Sequence, residues 1–285
     1  MTNIFKILGI GLVLAMSSFA TIAQESSAVN STENTSVAGK AKQGGKDDSW
    51  TGFYVGGFGG YTNGKSNAVT STTYQNVPGI DSNEVPRFNR LGDMKIKSTN
   101  FNAGGTFGYN HQKRNFLVGL EADFGVNKID ASGSESETYV DDGTQNITIN
   151  QNVKTDWLAT FRPRAGVAAK KVLVYGTAGM AITNIAFSED YLRIEDGTGR
   201  AATQSASFKK TKIGWTVGVG AEFKVSKRLS LKGEYLYAQF GKTSITSNNH
   251  TGYSVFGAEP HPLNIYSHSA DLKMNIVRFG VNYRF

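Results

Sequence analysis

The chain contains no cysteine. A disulfide framework, a thiolate metal site and a cysteine nucleophile are therefore excluded. Proline is scarce, at 5 of 285 residues. Past the N-terminus no apolar run approaches the roughly 20 residues that a membrane-spanning helix needs. The Gly-rich stretches "GFGG" and "GVGAE" lack the following helix that a phosphate loop requires. No Ser/His/Asp set has a spacing that fixes its geometry, so the chain reads as a non-enzyme. No basic helix or stacking platform points to nucleic acid.

Glycine is abundant, at 33 residues, without a collagen period. That suits an all-β chain with many close backbone approaches. The pattern of the segments agrees. In "NIVRFGVNYRF" (275–285), Val277, Phe279, Val281, Tyr283 and Phe285 fall on one face of a period-two run. In "NFNAGGTFGYNH" (100–111), Phe101, Ala103, Phe107 and Tyr109 oppose Asn100, Asn102, Thr106 and Asn110. The same alternation runs through 116–125, 157–167, 212–223 and 229–237. Two further segments, 51–61 and 172–182, alternate without a strongly polar face. The result is eight strands of roughly ten residues, the length that crosses a bilayer at a tilt.

A soluble β-sandwich and a lipocalin-like barrel also alternate. Two features favour a membrane barrel. Large aromatics gather at the strand ends, as in a bilayer girdle. Connections also alternate in length. Short turns are expected at 111–115, 168–171 and 224–228, and long loops at about 62–97, 126–153, 183–211 and 240–273. An antiparallel membrane barrel has this arrangement, with tight periplasmic turns and long external loops. The expected fold class is all-β: an eight-stranded antiparallel transmembrane β-barrel in the outer membrane, with four long extracellular loops.

Residues 1–23 read as a signal peptide. Lys6 precedes the apolar run "ILGIGLVLAM" (7–16), and small residues follow, with cleavage expected after Ala20 or Ala23. An uncleaved anchor would need a longer apolar run. Residues 24–48 are rich in Ser, Asn, Thr, Gly and Lys, and read as a disordered periplasmic tether. The barrel is assigned to 49–285.

The polar faces carry Glu121, Asp123, Arg162, Arg164, Glu222, Lys232, Glu234 and Arg278, four acids and four bases. An eight-stranded barrel is about wide enough for side chains to fill it. Buried charges survive when paired, so a salt-bridged plug is expected, with a gated narrow channel as the alternative. The formal charge of +7 equals the seven bases assigned to the short turns: Lys113, Arg114, Lys170, Lys171, Lys224, Lys227 and Arg228. These read as solvated. The stretch 126–153 is acidic, with Asp130, Glu135, Glu137, Asp141 and Asp142, but has no cation-ligand spacing.

The segments "WTGFYVGGFGGY" (50–61), "LVGLEADF" (117–124), "GWTVGVGAEF" (214–223), "LSLKGEYLY" (229–237) and "VRFGVNYRF" (277–285), in that order, resemble the opacity-protein-like, OmpA-like family of eight-stranded outer-membrane proteins. The likeness is to the porin-like surface antigens of alphaproteobacteria, some of which bind haem, and it spans nearly all of 50–285 outside the loops. It implies a surface antigen with a structural and recognition role, with a haem-binding receptor or narrow passive pore as the alternative. Its implied partners are outer-membrane lipid and lipopolysaccharide, the barrel-assembly machinery, and a host surface ligand or haem. Phe285, with Phe279 and Tyr283, fits that family's C-terminal assembly signal. No cofactor is assigned, save that His250, His261, His268, Tyr253 and Tyr266, expected on a mobile loop, form a candidate haem set. Pro163 departs from strand chemistry and predicts a bulge or a missing bond in the fourth strand.

Overall fold

The computed structural model describes residues 49–73, 84–140, 144–195, 200–247, 251–254, 257–260 and 265–285. The expected signal peptide and tether lie outside them. Eight long strands form one ring: β1 (Gly52–Thr72), β2 (Asp93–Lys113), β3 (Phe116–Val140), β4 (Thr144–Ala169), β5 (Val172–Glu195), β6 (Arg200–Lys224), β7 (Leu229–Ser247) and β10 (Tyr266–Arg284). Each pairs antiparallel with its neighbour, and β1 pairs with β10 to close the ring. A short hairpin, β8 (Thr251–Ser254) and β9 (Gly257–Pro260), lies between β7 and β10 in sequence. Among the described residues one helix, α1 (Val85–Leu91), follows β1.

Three short turns stand where the sequence placed them. Arg114 and Lys170 turn the chain in the left-handed region, at φ 57° and 51°, which suits tight reversals. The long loops are a different matter. The strands run for 19 to 26 residues, against the roughly ten that cross a bilayer. Much of 62–72, 93–97, 126–140, 144–153, 183–195, 200–211, 240–247 and 266–273 is ladder, not loop.

The reason is an inversion of the amphipathic pattern along each strand. Near the short turns, β3 sends Phe116, Val118, Leu120 and Phe124 outward and Glu121 and Asp123 inward. Further along, Lys128, Asp130 and Ser132 face outward while Ile129 and Ala131 face inward. On β4, Phe161 faces out and Arg162 in; beyond Trp157, Asn150, Asn152 and Lys154 point outward while Ile147, Ile149 and Val153 are buried. The first half matches hydrocarbon outside. The second half matches water outside and a closed core inside.

That core is extensive. Ile185, Phe187, Tyr191, Phe240, Tyr266, Leu272, Met274 and Ile276 join the residues just named. Phe88 of α1 enters the same cluster, with its ring 5.2 Å from Tyr191 and 5.4 Å from Tyr266. The helix is tied down by Glu84–Arg193 at 3.0 Å and by contacts of Arg87 and Arg90 with Glu137. It therefore lids the long end of the barrel. Register shifts fall at Val126/Ile129, Lys154/Leu158 and Ala270/Leu272, in the region of the changeover. Extra residues there raise local twist.

Pro163 behaves as its chemistry requires. It faces outward and pairs with Leu120 of β3, while the pairing with β5 lapses at Arg162 and Pro163. The register resumes unchanged at Arg164↔Thr177. The expected missing bond is present and the register survives it. Nitroxide labels at Val219 and Leu231 are expected to be relaxed by lipid-soluble oxygen. Labels at Ser132 and Lys209 are expected to be relaxed by an aqueous paramagnet; the reverse pattern would turn the sheet inside out.

Candidate functional site: a closed ionic lumen

The strand register brings all eight interior charges together. Alternation points Glu121 and Asp123 of β3, Arg162 and Arg164 of β4, Glu222 of β6, Lys232 and Glu234 of β7 and Arg278 of β10 inward. Cross-strand pairing sets Glu121 opposite Arg162, Glu222 opposite Lys232, and Glu234 opposite Arg278. Arg162, with no exposed side-chain surface, reaches Glu121 and Asp123 at 2.7 Å and Glu234 at 3.2 Å. Arg164 reaches Glu222 at 2.7 Å and Glu121 at 3.2 Å. Lys232 donates to Glu121 at 2.6 Å, and Arg278 lies 3.1 Å from Asp123 and 3.2 Å from Glu234. Every base touches a carboxylate, so four positive and four negative charges form one neutral cluster.

Neutral polar groups complete the shell. Thr160 donates to Asp123 at 2.6 Å, and Ser230 and Asn282 donate to Glu222 at 3.1 Å. Two tyrosines were not apparent as site residues in the sequence. Tyr54 donates to Glu121 at 2.7 Å, and Tyr175 donates to Glu234 at 2.9 Å. The Arg164 guanidinium lies between their rings, 4.6 Å from one centroid and 4.9 Å from the other. Two glycines make this fit. A Cβ on Gly108 would stand 2.2 Å from the Tyr54 hydroxyl oxygen, and one on Gly220 2.4 Å from that of Tyr175. The signal that could have found the tyrosines is parity: each sits between outward-facing residues of its strand.

The cluster is sealed at both ends. Toward the short turns, Trp50, Leu117, Ala168 and Leu173 pack with Tyr175. Lys224 lies over the Trp50 ring at 4.7 Å and donates to the Ser49 carbonyl at 3.0 Å. That corrects the reading of Lys224 as a solvated turn residue: it ends β6 on the inward face and is buried beneath the indole. On the other side, Asn102, Thr62 and Asn127 form a hydrogen-bonded layer below the apolar core. Beside Asp123, Lys232, Glu234 and Arg278 lies a cavity of about 10 Å³, at the lower limit for a single water.

The structure describes only part of the histidine and tyrosine set. His250 and His261 lie outside the described residues, and Tyr253 contributes only its place in β8. His268 and Tyr266 are on β10, buried inside the barrel, and not on an exposed loop. The inverted pattern explains the difference: inward positions at this height belong to a closed core. The His268 Nδ1 lies 3.1 Å from the Thr70 hydroxyl and 3.6 Å from Glu189, and its Nε2 lies 2.8 Å from the Ser247 hydroxyl. Both ring nitrogens thus lie against protein groups.

The three terminal aromatics face outward. Phe279 and Phe285 are 69% and 73% exposed, and Tyr283 stands between them. The Phe285 amide donates to the Phe53 carbonyl at 3.1 Å, which carries the ring seam to the last residue. An outward apolar girdle around a sealed ionic lumen, on eight closed strands, is the architecture of an outer-membrane barrel.

The outer membrane protein beta-barrel domain family matches residues 12–285. The chain belongs to that family. A 31 kDa outer-membrane immunogenic protein of Brucella melitensis is 29% identical over 83% of this chain and 84% of its own length. A 22 kDa outer membrane protein of Rhizobium leguminosarum bv. viciae is 27% identical over 67% of this chain and 65% of its own. Among solved structures, OprG of Pseudomonas aeruginosa aligns with 82% of this chain and 97% of its own at 10% identity and a TM-score of 0.38. Its family and its relatives make the protein a porin-like surface protein of the outer membrane.

Removing one member of the cluster strands the others. Arg162→Met leaves Glu121, Asp123 and Glu234 short of charge and is expected to cost about 3–5 kcal/mol, measured as a lower urea midpoint in detergent micelles. A second expectation concerns the extracellular core. Burial, with a smaller effect of Asp190, pushes the Glu189 carboxyl up to about 8. The folded chain therefore holds that proton where the unfolded chain has released it, and its contribution to stability is lost as pH rises from about 4.5 through about 8. Burial lowers His268 to about 4, and its contribution is lost in the opposite direction, as pH falls from 6.5. Glu189→Gln is expected to abolish the alkaline loss and leave the acid one, read from unfolding midpoints across the pH range.

Proposed function

We propose that this protein is a non-conducting, non-catalytic element of the outer membrane. In this reading it strengthens the envelope and holds a rigid extracellular sheet for recognition by surface ligands. The single observation that carries this reading is the neutral cluster of four acids and four bases across the lumen. Ion flow would require water among these groups. The desolvated, mutually paired charges are held by hydrogen bonds from Tyr54, Tyr175, Thr160, Ser230 and Asn282. The apolar closures on either side raise the cost of opening further. Its recognition surface is the outer wall and rim above the bilayer, where outward residues turn polar and the ladder keeps them in fixed register.

Planar-bilayer recording is the test. The folded barrel is expected to give no stable unit conductance across the physiological voltage range. Regular ohmic steps from wild-type protein would overturn the reading in favour of a pore.

A further inference from the structure

We propose that the outer wall formed by β10, β1 and β2 carries a binding site for the phosphate groups of an outer-leaflet glycolipid, centred on Lys65. Lys65 pairs across the ladder with Lys97 on one side and Lys273 on the other. Three lysines on three adjacent strands therefore stand in one row on the outward face. Adjacent strands are roughly 4.8 Å apart, and like charges directly opposite one another are destabilising. Among the described residues, neither Lys65 nor Lys97 makes an ion pair; Lys273 has Asp271 at 3.9 Å. Lys95 continues the positive charge one step further out, opposite Asn67. The acids on this wall, Asp271 and Asp93, lie farther from the bilayer than the row. Anions placed between the lysines would turn a repulsive row into an attractive one.

Height selects the kind of anion. Two residues nearer the membrane, Asn63, Thr99 and Asn275 form a row in the same register, with Asn63 donating to Thr99 at 2.7 Å. Two residues nearer again stand Tyr61, Phe101 and Val277, with the two exposed rings edge to face at 6.4 Å. Hydrocarbon contact, a neutral polar step and a cationic row thus follow in order over about 13 Å of strand. Lysine stems can lie along the wall toward the bilayer. A molecule with acyl chains against Tyr61 and Phe101 and phosphates at the lysines fits this sequence of chemistries; a soluble anion would leave the aromatic level unused.

The opposite wall supplies the contrast. Lys154 pairs with Asp130 at 3.2 Å and Lys209 with Asp156 at 3.4 Å. Those two lysines already have counter-charges, unlike Lys65 and Lys97, and serve as the control.

The test uses the folded barrel in zwitterionic nanodiscs free of lipopolysaccharide, titrated with bis-phosphorylated lipid A, dephosphorylated lipid A or inorganic phosphate. Wild type is expected to bind the phosphorylated lipid. The triple variant Lys65→Gln, Lys97→Gln, Lys273→Gln is expected to bind it on the order of 100-fold more weakly. Lys65→Gln alone, which removes a single exposed side chain, is expected to lose on the order of fivefold and carries the test if the triple variant fails to fold. The pair Lys154→Gln, Lys209→Gln is expected to change affinity less than about twofold. Unchanged binding by the lysine variants would overturn the proposal. Equal binding of dephosphorylated lipid would remove the phosphate from it, and inorganic phosphate binding as tightly as the lipid would remove the membrane.

Discussion

Ring closure is the constraint on which everything else rests. In hydrocarbon no water is present to satisfy a free N–H or carbonyl, so a sheet that crosses a bilayer can have no edge. Here the seam is β1 against β10, paired from Tyr54↔Arg284 to Thr72↔Tyr266. That ladder joins the first and last strands of the barrel, so no part of the wall is complete until the C-terminus has been made. The outward aromatics of β10 lie along this seam, where a free edge would be most costly.

Closure with eight strands then dictates the interior. Eight strands leave an interior about wide enough for side chains to fill, and in the membrane half the inward positions are polar or charged while the outward ones are apolar. Paired charges are one solution, and the register makes it workable. Gly108 and Gly220 leave room for Tyr54 and Tyr175, whose hydroxyls satisfy Glu121 and Glu234 and whose rings hold Arg164 between them. Above the bilayer the same strands continue with their faces exchanged, and the interior becomes an ordinary hydrophobic core lidded by α1.

The membrane half was legible in the sequence because one rule governs it: large apolar residues at alternate positions. Phe116 to Phe124 and Val277 to Phe285 show it plainly, and the eight charges opposite them could be assigned by parity alone. The upper half obeys the inverse rule and was harder to read. In "NITINQNVK" the inward Ile147, Ile149 and Val153 alternate with Asn, Thr and Lys, a short polar-looking stretch easily taken for a loop. Its strand character comes from pairing with β3 and β5, information that is not local. His268 was misplaced for the same reason, and Tyr54 was obscured by a segment in which both faces carry glycine and aromatic residues.

The extended ladder above the bilayer fixes the geometry of whatever meets the cell from outside. Ser132, Asn152, Ser188 and Ser207 come from four strands and stand side by side across the sheet. An antibody raised against the intact cell would cover such a mosaic, assembled from residues up to 75 positions apart in sequence (132 to 207). Its epitope would be conformational: lost on boiling, absent from linear peptides, and restored only when the barrel refolds.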